Sequence, residues 1–124
     1  MSAKTILHVE DNELNRKIVR DLLRRTPYRL IEAIDGEAGV ATALEQRPDL
    51  ILMDLQLPKL SGLEAMRALR QAPATMDTPI IAITSFALSG DQQKAEAAGA
   101  SAYLAKPYSP FGLLEMIRKL TPEG

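Results

Sequence analysis

Short apolar runs alternate with helix-like segments five times in 124 residues, and this alternation constrains the fold more than any other feature of the chain. The runs are Thr5–Val9, Arg29–Ala33, Leu50–Asp54, Ile80–Thr84 and Ala102–Ala105. Segments near Glu13–Arg25, Glu37–Gln46, Gly62–Arg70, Gly90–Ala98 and Pro110–Leu120 carry helical spacing between and after them. A strand that is apolar at every position must be covered on both faces. Five strand–helix units of this kind predict one parallel sheet with helices on both sides, a doubly wound α/β fold.

The punctuation agrees with that reading. Ser61 with Glu64, and Ser89 with Gln92, have capping-box spacing at the third and fourth helices. Asp35-Gly36 is a turn signal before the second helix, and Gly99 is placed to end the fourth in a left-handed cap. Pro110 suits the first turn of the fifth helix. No linker or low-complexity tract interrupts the pattern, and the chain stops four residues after Leu120. The expectation is a single domain over residues 1–124 with no effector domain.

Composition removes several function classes. Fifteen basic and 16 acidic residues give a net charge of −1, without the basic excess by which nucleic-acid binding normally shows. The absence of cysteine excludes disulfides and thiolate metal sites. No signal peptide and no run of 18 apolar residues is present, so the expectation is a cytoplasmic protein with no membrane partner.

The chemistry is concentrated where strands end. The first run is followed by Glu10-Asp11, the third ends in Asp54, the fourth in Thr84-Ser85, and the fifth is followed by Lys106-Pro107. In open α/β sheets, ligands bind at the carboxyl ends of the strands. Three carboxylates on one rim repel one another unless a hard cation such as Mg²⁺ sits among them. A cation and an amine at one rim can neutralise a phosphoryl group in transfer. Asp54 is the strand-end carboxylate with no acid beside it in sequence, which makes it the candidate nucleophile. Each residue alone has a bland account: Asp54 can cap a turn, Glu10-Asp11 can cap the first helix, and Lys106 can be a solvated lysine. Their coincidence at the strand ends of one sheet argues for a site. His8 lies inside the first strand and reads as a packed or edge residue, not a ligand.

The set Glu10-Asp11, Asp54, Thr84 and Lys106-Pro107, over five strand–helix units, resembles the receiver domain of two-component response regulators. Val9-Glu10-Asp11-Asn12, Met53-Asp54-Leu55-Gln56-Leu57-Pro58, Ser61-Gly62 and Tyr103-Leu104-Ala105-Lys106-Pro107 extend the resemblance along the whole chain. Glu10-Asp11-Asn12-Glu13-Leu14-Asn15 and Ser61-Gly62-Leu63-Glu64 are also similar to the small DivK-like stand-alone receivers. The resemblance implies a flavodoxin-like, CheY-like fold and a phosphorylation switch. In it, Asp54 is the phosphoacceptor, and Asp11, Asp54 and the backbone carbonyl of Gln56 ligate Mg²⁺, with Glu10 helping through water. Thr84 and Lys106 contact the phosphoryl group, and Tyr103 turns inward as Thr84 moves. The resemblance also implies a cis Lys106–Pro107 peptide. The implied partners are a histidine kinase or histidine phosphotransfer protein and a downstream protein target. Two positions depart from the common pattern: Glu10 stands where many receivers have Asp, and Ser85 where Ala is frequent.

Three other readings compete with this one. An aspartyl-phosphate phosphatase needs a second acid two residues after its nucleophile, and that position is Gln56. A flavodoxin-like cofactor binder needs a phosphate-cradling loop after the first strand, where Glu10-Asp11-Asn12-Glu13 instead repels phosphate. A receiver cut from a hybrid sensor kinase shares the same site. On the first helix, Leu14, Ile18, Val19, Leu22 and Leu23 span an arc of roughly 180°, wider than the roughly 100° a core face needs. The Leu14–Ile18 edge is therefore expected to remain available to a partner.

Overall fold

The computed structural model describes residues 3–85 and 90–123. Five strands, β1 (Thr5–Val9), β2 (Arg29–Ala33), β3 (Leu50–Asp54), β4 (Ile80–Thr84) and β5 (Ala102–Ala105), form one parallel sheet in the order β2-β1-β3-β4-β5. They alternate with α1 (Glu13–Leu23), α2 (Gly36–Gln46), α3 (Gly62–Gln71), α4 (Asp91–Ala98) and α5 (Pro110–Leu120). This is the doubly wound α/β order of flavodoxin-like folds.

The strands alternate their side chains between two cores. Leu7, Val9, Ile51, Met53, Ile80 and Ala82 pack beneath α2, α3 and α4. Ile6, Leu50, Leu52, Ile81 and Ile83 pack beneath α1 and α5, with Val19, Leu23, Leu113 and Ile117. Every residue of β3 and β4 is buried, including Asp54 and Thr84 at their ends, as central strands of a sheet covered on both faces should be. His8 is buried in β1, between β2 and β3.

Helix ends follow their local chemistry. Ser61 and Glu64 form a reciprocal capping box at α3, Pro110 opens α5, and Gly99 closes α4 at φ 113°. Asn12, and neither acid before it, caps α1 by accepting from Asn15 N–H at 2.9 Å. That helix ends at Leu23, two residues before the sequence-based expectation. The Thr26 hydroxyl and N–H both donate to the Leu23 carbonyl and turn the chain there. Ser89, expected to cap the fourth helix, lies outside the described residues. The described α4 begins after Gly90 at φ 85°.

Candidate functional site

The strand order reverses direction between β1 and β3: the chain runs from β1 out to β2, then returns to the other side of β1. A crevice opens at such a switch point, beyond the carboxyl ends of the two strands. Glu10-Asp11 follow β1 and Asp54 ends β3, so the acids stand on the two sides of that crevice. One carboxylate oxygen from each of Glu10, Asp11 and Asp54 lies within 4.8 Å of the others. Glu10 and Asp54 are buried and Asp11 is exposed, which leaves the cluster open to solvent on one side. An all-oxygen donor set with an open approach fits a hard divalent cation.

The segments that carry these acids are held firmly. Gly62 at the start of α3 sits so close to β3 that a Cβ there would lie 2.2 Å from the Asp54 carbonyl oxygen. Asp54 Oδ1 accepts from Gln56 N–H at 2.8 Å. On the other side, Arg16 of α1 donates through Nη1 to the Glu10 carbonyl at 2.8 Å, and Glu10 Oε2 accepts from Asn12 N–H at 3.2 Å. Arg16 did not stand out in the sequence. Its signal there is a basic residue on the first turn of a helix that starts directly after an acid pair.

Lys106 closes the cluster. Its Nζ lies 2.8 Å from Glu10 Oε1 and 2.7 Å from Asp54 Oδ2. Its backbone N–H donates to the Thr84 carbonyl at 2.7 Å, and the peptide to Pro107 is cis. Burial raises the Glu10 carboxyl above the usual carboxylate range; the bond to Lys106 pulls against that shift and Asp54 adds to it. Burial alone would lower the Lys106 amine, but its bonds to Asp54 and Glu10 outweigh it and the net shift is upward. Three acids against one ammonium leave the cluster rich in negative charge, so it favours a cation and can receive an anion only when that charge is offset.

Thr84 and Tyr103 occupy the next positions along the rim. Thr84 is fully buried, and its Oγ1 accepts from Gln56 Nε2 at 2.9 Å. Tyr103 pairs with Ala82 across the sheet, two residues before Thr84, and packs against the core beneath α4. The two residues are therefore diagonal neighbours on one face of β4 and β5. The Tyr103 hydroxyl donates to Asp91 of α4 at 3.0 Å. The structure thus gathers Glu10, Asp11 and Asp54 into one cluster, ties Lys106 to Glu10 and Asp54, and joins Thr84 to that network through Gln56. Tyr103 borders the network, with its hydroxyl bonded elsewhere.

Beside Lys106 an apolar cleft of about 390 Å³ runs between α1 and the segment leading into α5. Asn15, Ile18, Ser85, Pro107 and Tyr108 line it with Lys106. Val19 and Leu23 face the core, whereas Leu14 and Ile18 are exposed, as the wide apolar arc of this helix requires. Among the described residues no helix is long and apolar enough to cross a membrane.

A family model for the response regulator receiver domain matches residues 6–118. The chain is 43% identical over 115 residues to the polar-differentiation response regulator DivK of Brucella anthropi, covering 93% of this chain and 94% of that one. It is also similar to the receiver domain of sensor histidine kinase PA1611 from Pseudomonas aeruginosa PAO1. There the TM-score is 0.87 and the identity 39%, over 94% of this chain and 96% of that one. A magnesium ion is coordinated in the active site cleft of that structure. Chemotaxis response regulator CheY4 of Vibrio cholerae superposes with a TM-score of 0.88 at 30% identity, over 94% of this chain and 98% of that one.

Proposed function

The chain belongs to the response-regulator receiver domains, and from that membership we propose that it accepts a phosphoryl group on Asp54 from a phosphohistidine donor and changes its protein contacts in response. The observation that carries this reading is the Asp54 carboxylate itself. It stands at the switch point of the sheet, 2.7 Å from the Lys106 amine and grouped with Glu10 and Asp11.

In the proposed reaction an Asp54 oxygen bonds to phosphorus as the bond from phosphorus to the donor imidazole breaks. The protein's contribution is positioning and charge. Gln56 N–H and the close approach of Gly62 hold the carboxylate in place. Lys106 is placed to turn part of its charge from Asp54 to a phosphoryl oxygen, and the Thr84 hydroxyl and Ser85 N–H lie at the end of the adjacent strand to serve other oxygens. Asp11, Asp54 and the Gln56 carbonyl, with Glu10 through water, would hold Mg²⁺. When bound there, it offsets the charge of the acid cluster and of the incoming phosphoryl group. The same residues assist the later hydrolysis of the aspartyl phosphate.

The readout runs through Thr84 and Tyr103. A phosphoryl group draws the Thr84 hydroxyl toward Asp54, and the space released beside β4 admits the Tyr103 ring, shifting a population that exists beforehand. The donor is a histidine kinase or a histidine phosphotransfer protein, approaching over the cleft beside Ile18, and the output is a downstream protein. We take the exchange to occur in the cytoplasm, where ATP supplies the phosphohistidine.

The test is incubation with acetyl phosphate and Mg²⁺, followed by intact mass. The wild type should gain one phosphoryl group and Asp54→Asn none. Equal modification of the two proteins would show that Asp54 is not the acceptor.

A further inference from the structure

We propose that the side chain of Gln56 is a built-in competitor of the phosphoryl group, holding the end of β4 until modification displaces it. This rests on the reading of Asp54 as the phosphoacceptor and adds a regulatory contact to that site. Gln56 lies two residues past Asp54, and its backbone is anchored by the bond from its N–H to Asp54 Oδ1. From there its carboxamide reaches across to β4. Nε2 donates to Thr84 Oγ1 at 2.9 Å, and Oε1 accepts from Ser85 N–H at 3.0 Å. The second contact decides which way the amide points. A backbone N–H can only donate, so oxygen must face Ser85 and nitrogen must face the Thr84 hydroxyl.

Those two groups are the ones a phosphoryl group on Asp54 would recruit from β4. The Ser85 N–H carries one hydrogen, and it is already committed to the amide oxygen. An anionic phosphoryl oxygen is the stronger acceptor, because charge-assisted hydrogen bonds are roughly twice as strong as neutral ones. It therefore wins the donor, but against a bond that exists instead of against water. Thr84 is tied to the same amide, so loss of the Ser85 bond loosens the Thr84 bond with it. Gln56 thereby stabilises the unmodified arrangement and links release of Thr84 to arrival of the phosphoryl group. This role belongs to the side chain and is separate from the metal contact proposed for the Gln56 carbonyl.

Beryllofluoride with Mg²⁺ serves as a non-covalent phosphoryl mimic, titrated while the backbone amide signals of Thr84 and Ser85 are followed by NMR. Gln56→Leu keeps the bulk and removes both polar atoms. It should bind beryllofluoride roughly 5- to 30-fold more tightly than wild type, the gain from removing one or two competing neutral hydrogen bonds. Gln56→Asn is one methylene shorter and cannot span both groups, so its affinity should fall between the two. A side chain that merely stiffened the loop would give the opposite sign, with weaker binding in both variants. Unchanged or weaker binding in the folded variants overturns the proposal, and Gln56→Asn decides it alone should Gln56→Leu not fold. Asp54→Asn is titrated in parallel. If it binds as wild type does, the acceptor assignment fails. Asp54-dependent binding without a gain in the Gln56 variants overturns only the competitor role.

Discussion

Lys106 Nζ lies 2.7 Å from Asp54 Oδ2 although β5, which delivers the lysine, is separated from β3 by the whole of β4. The four-carbon stem makes the crossing possible, and the bond from Lys106 N–H to the Thr84 carbonyl sets where it begins. The same ammonium reaches Glu10 beyond β1 at 2.8 Å. One cation thus ties together residues that follow or end three different strands.

Removing that cation should destabilise the metal-free protein. Lys106→Met keeps the stem but leaves Glu10 and Asp54 buried without their shared counter-charge. The expected loss is about 3 kcal/mol in urea denaturation, the usual scale for breaking a buried pair by deleting one partner. Excess Mg²⁺ should recover more of this loss than it adds to the wild type. A variant as stable as wild type without metal would show that the ammonium is not needed to hold the acids.

Metal binding should read out as stability and should depend on Asp11. At a free Mg²⁺ concentration about 100 times its dissociation constant, a ligand specific to the folded state adds about 2.7 kcal/mol. Thermal unfolding of wild type should therefore shift upward with Mg²⁺ and return with EDTA. Asp11 is exposed, so Asp11→Ala should fold normally yet show little of the shift and little labelling by acetyl phosphate. Equal shifts in both proteins would remove Asp11 from the metal site.

Stability should fall in mild acid through His8. Its ring is buried, Nδ1 has no hydrogen-bond partner among the described residues, and burial lowers its pKa to about 4. The unfolded chain takes up the proton near pH 6.5, whereas the folded chain resists it until about pH 4. Between those values the unfolded state binds more protons, so folding stability declines as pH drops through the window. The contribution is full above pH 6.5 and amounts to up to about 3 kcal/mol lost by pH 4. In denaturation at pH 7 and pH 4.5, His8→Leu should lose less stability than wild type. Parallel losses would assign the acid sensitivity to other groups.

Ile18 should matter to a protein donor and not to a small one. It is exposed on α1 and lines the cleft that leads to Lys106. Ile18→Ser should slow phosphorylation by a cognate histidine phosphodonor about tenfold or more, the effect of losing one well-buried aliphatic contact at an interface. Labelling by acetyl phosphate should be unchanged. Loss with both donors would mean that Ile18 supports the fold, and no loss with either would place the interface elsewhere.

Much of this protein was legible before its structure. All five strands begin and end where the strand-like runs do, because short, mainly apolar segments between turn signals have few alternatives in a covered sheet. The capping box of Ser61 and Glu64 and the left-handed Gly99 were readable because caps are local. Helix ends were less so: α1 stops at Leu23 because the Thr26 hydroxyl takes the last carbonyl, a competition that periodicity does not register. Glu10, Asp11, Asp54, Thr84 and Lys106 could be nominated from sequence because each follows or ends a strand.

What the sequence alone determined is therefore what lies within a few residues: which segments are strands or helices, and which chemical groups stand at their ends. Tertiary structure decided who meets whom. The order β2-β1-β3 puts Asp54 beside Glu10 and Asp11, Arg16 folds back onto the Glu10 carbonyl, and Gln56 spans to Thr84 and Ser85. Those contacts join positions up to 96 residues apart, as between Glu10 and Lys106. Spacing along the chain does not encode them; they exist because strand pairing and the two apolar cores bring distant strand ends to one rim.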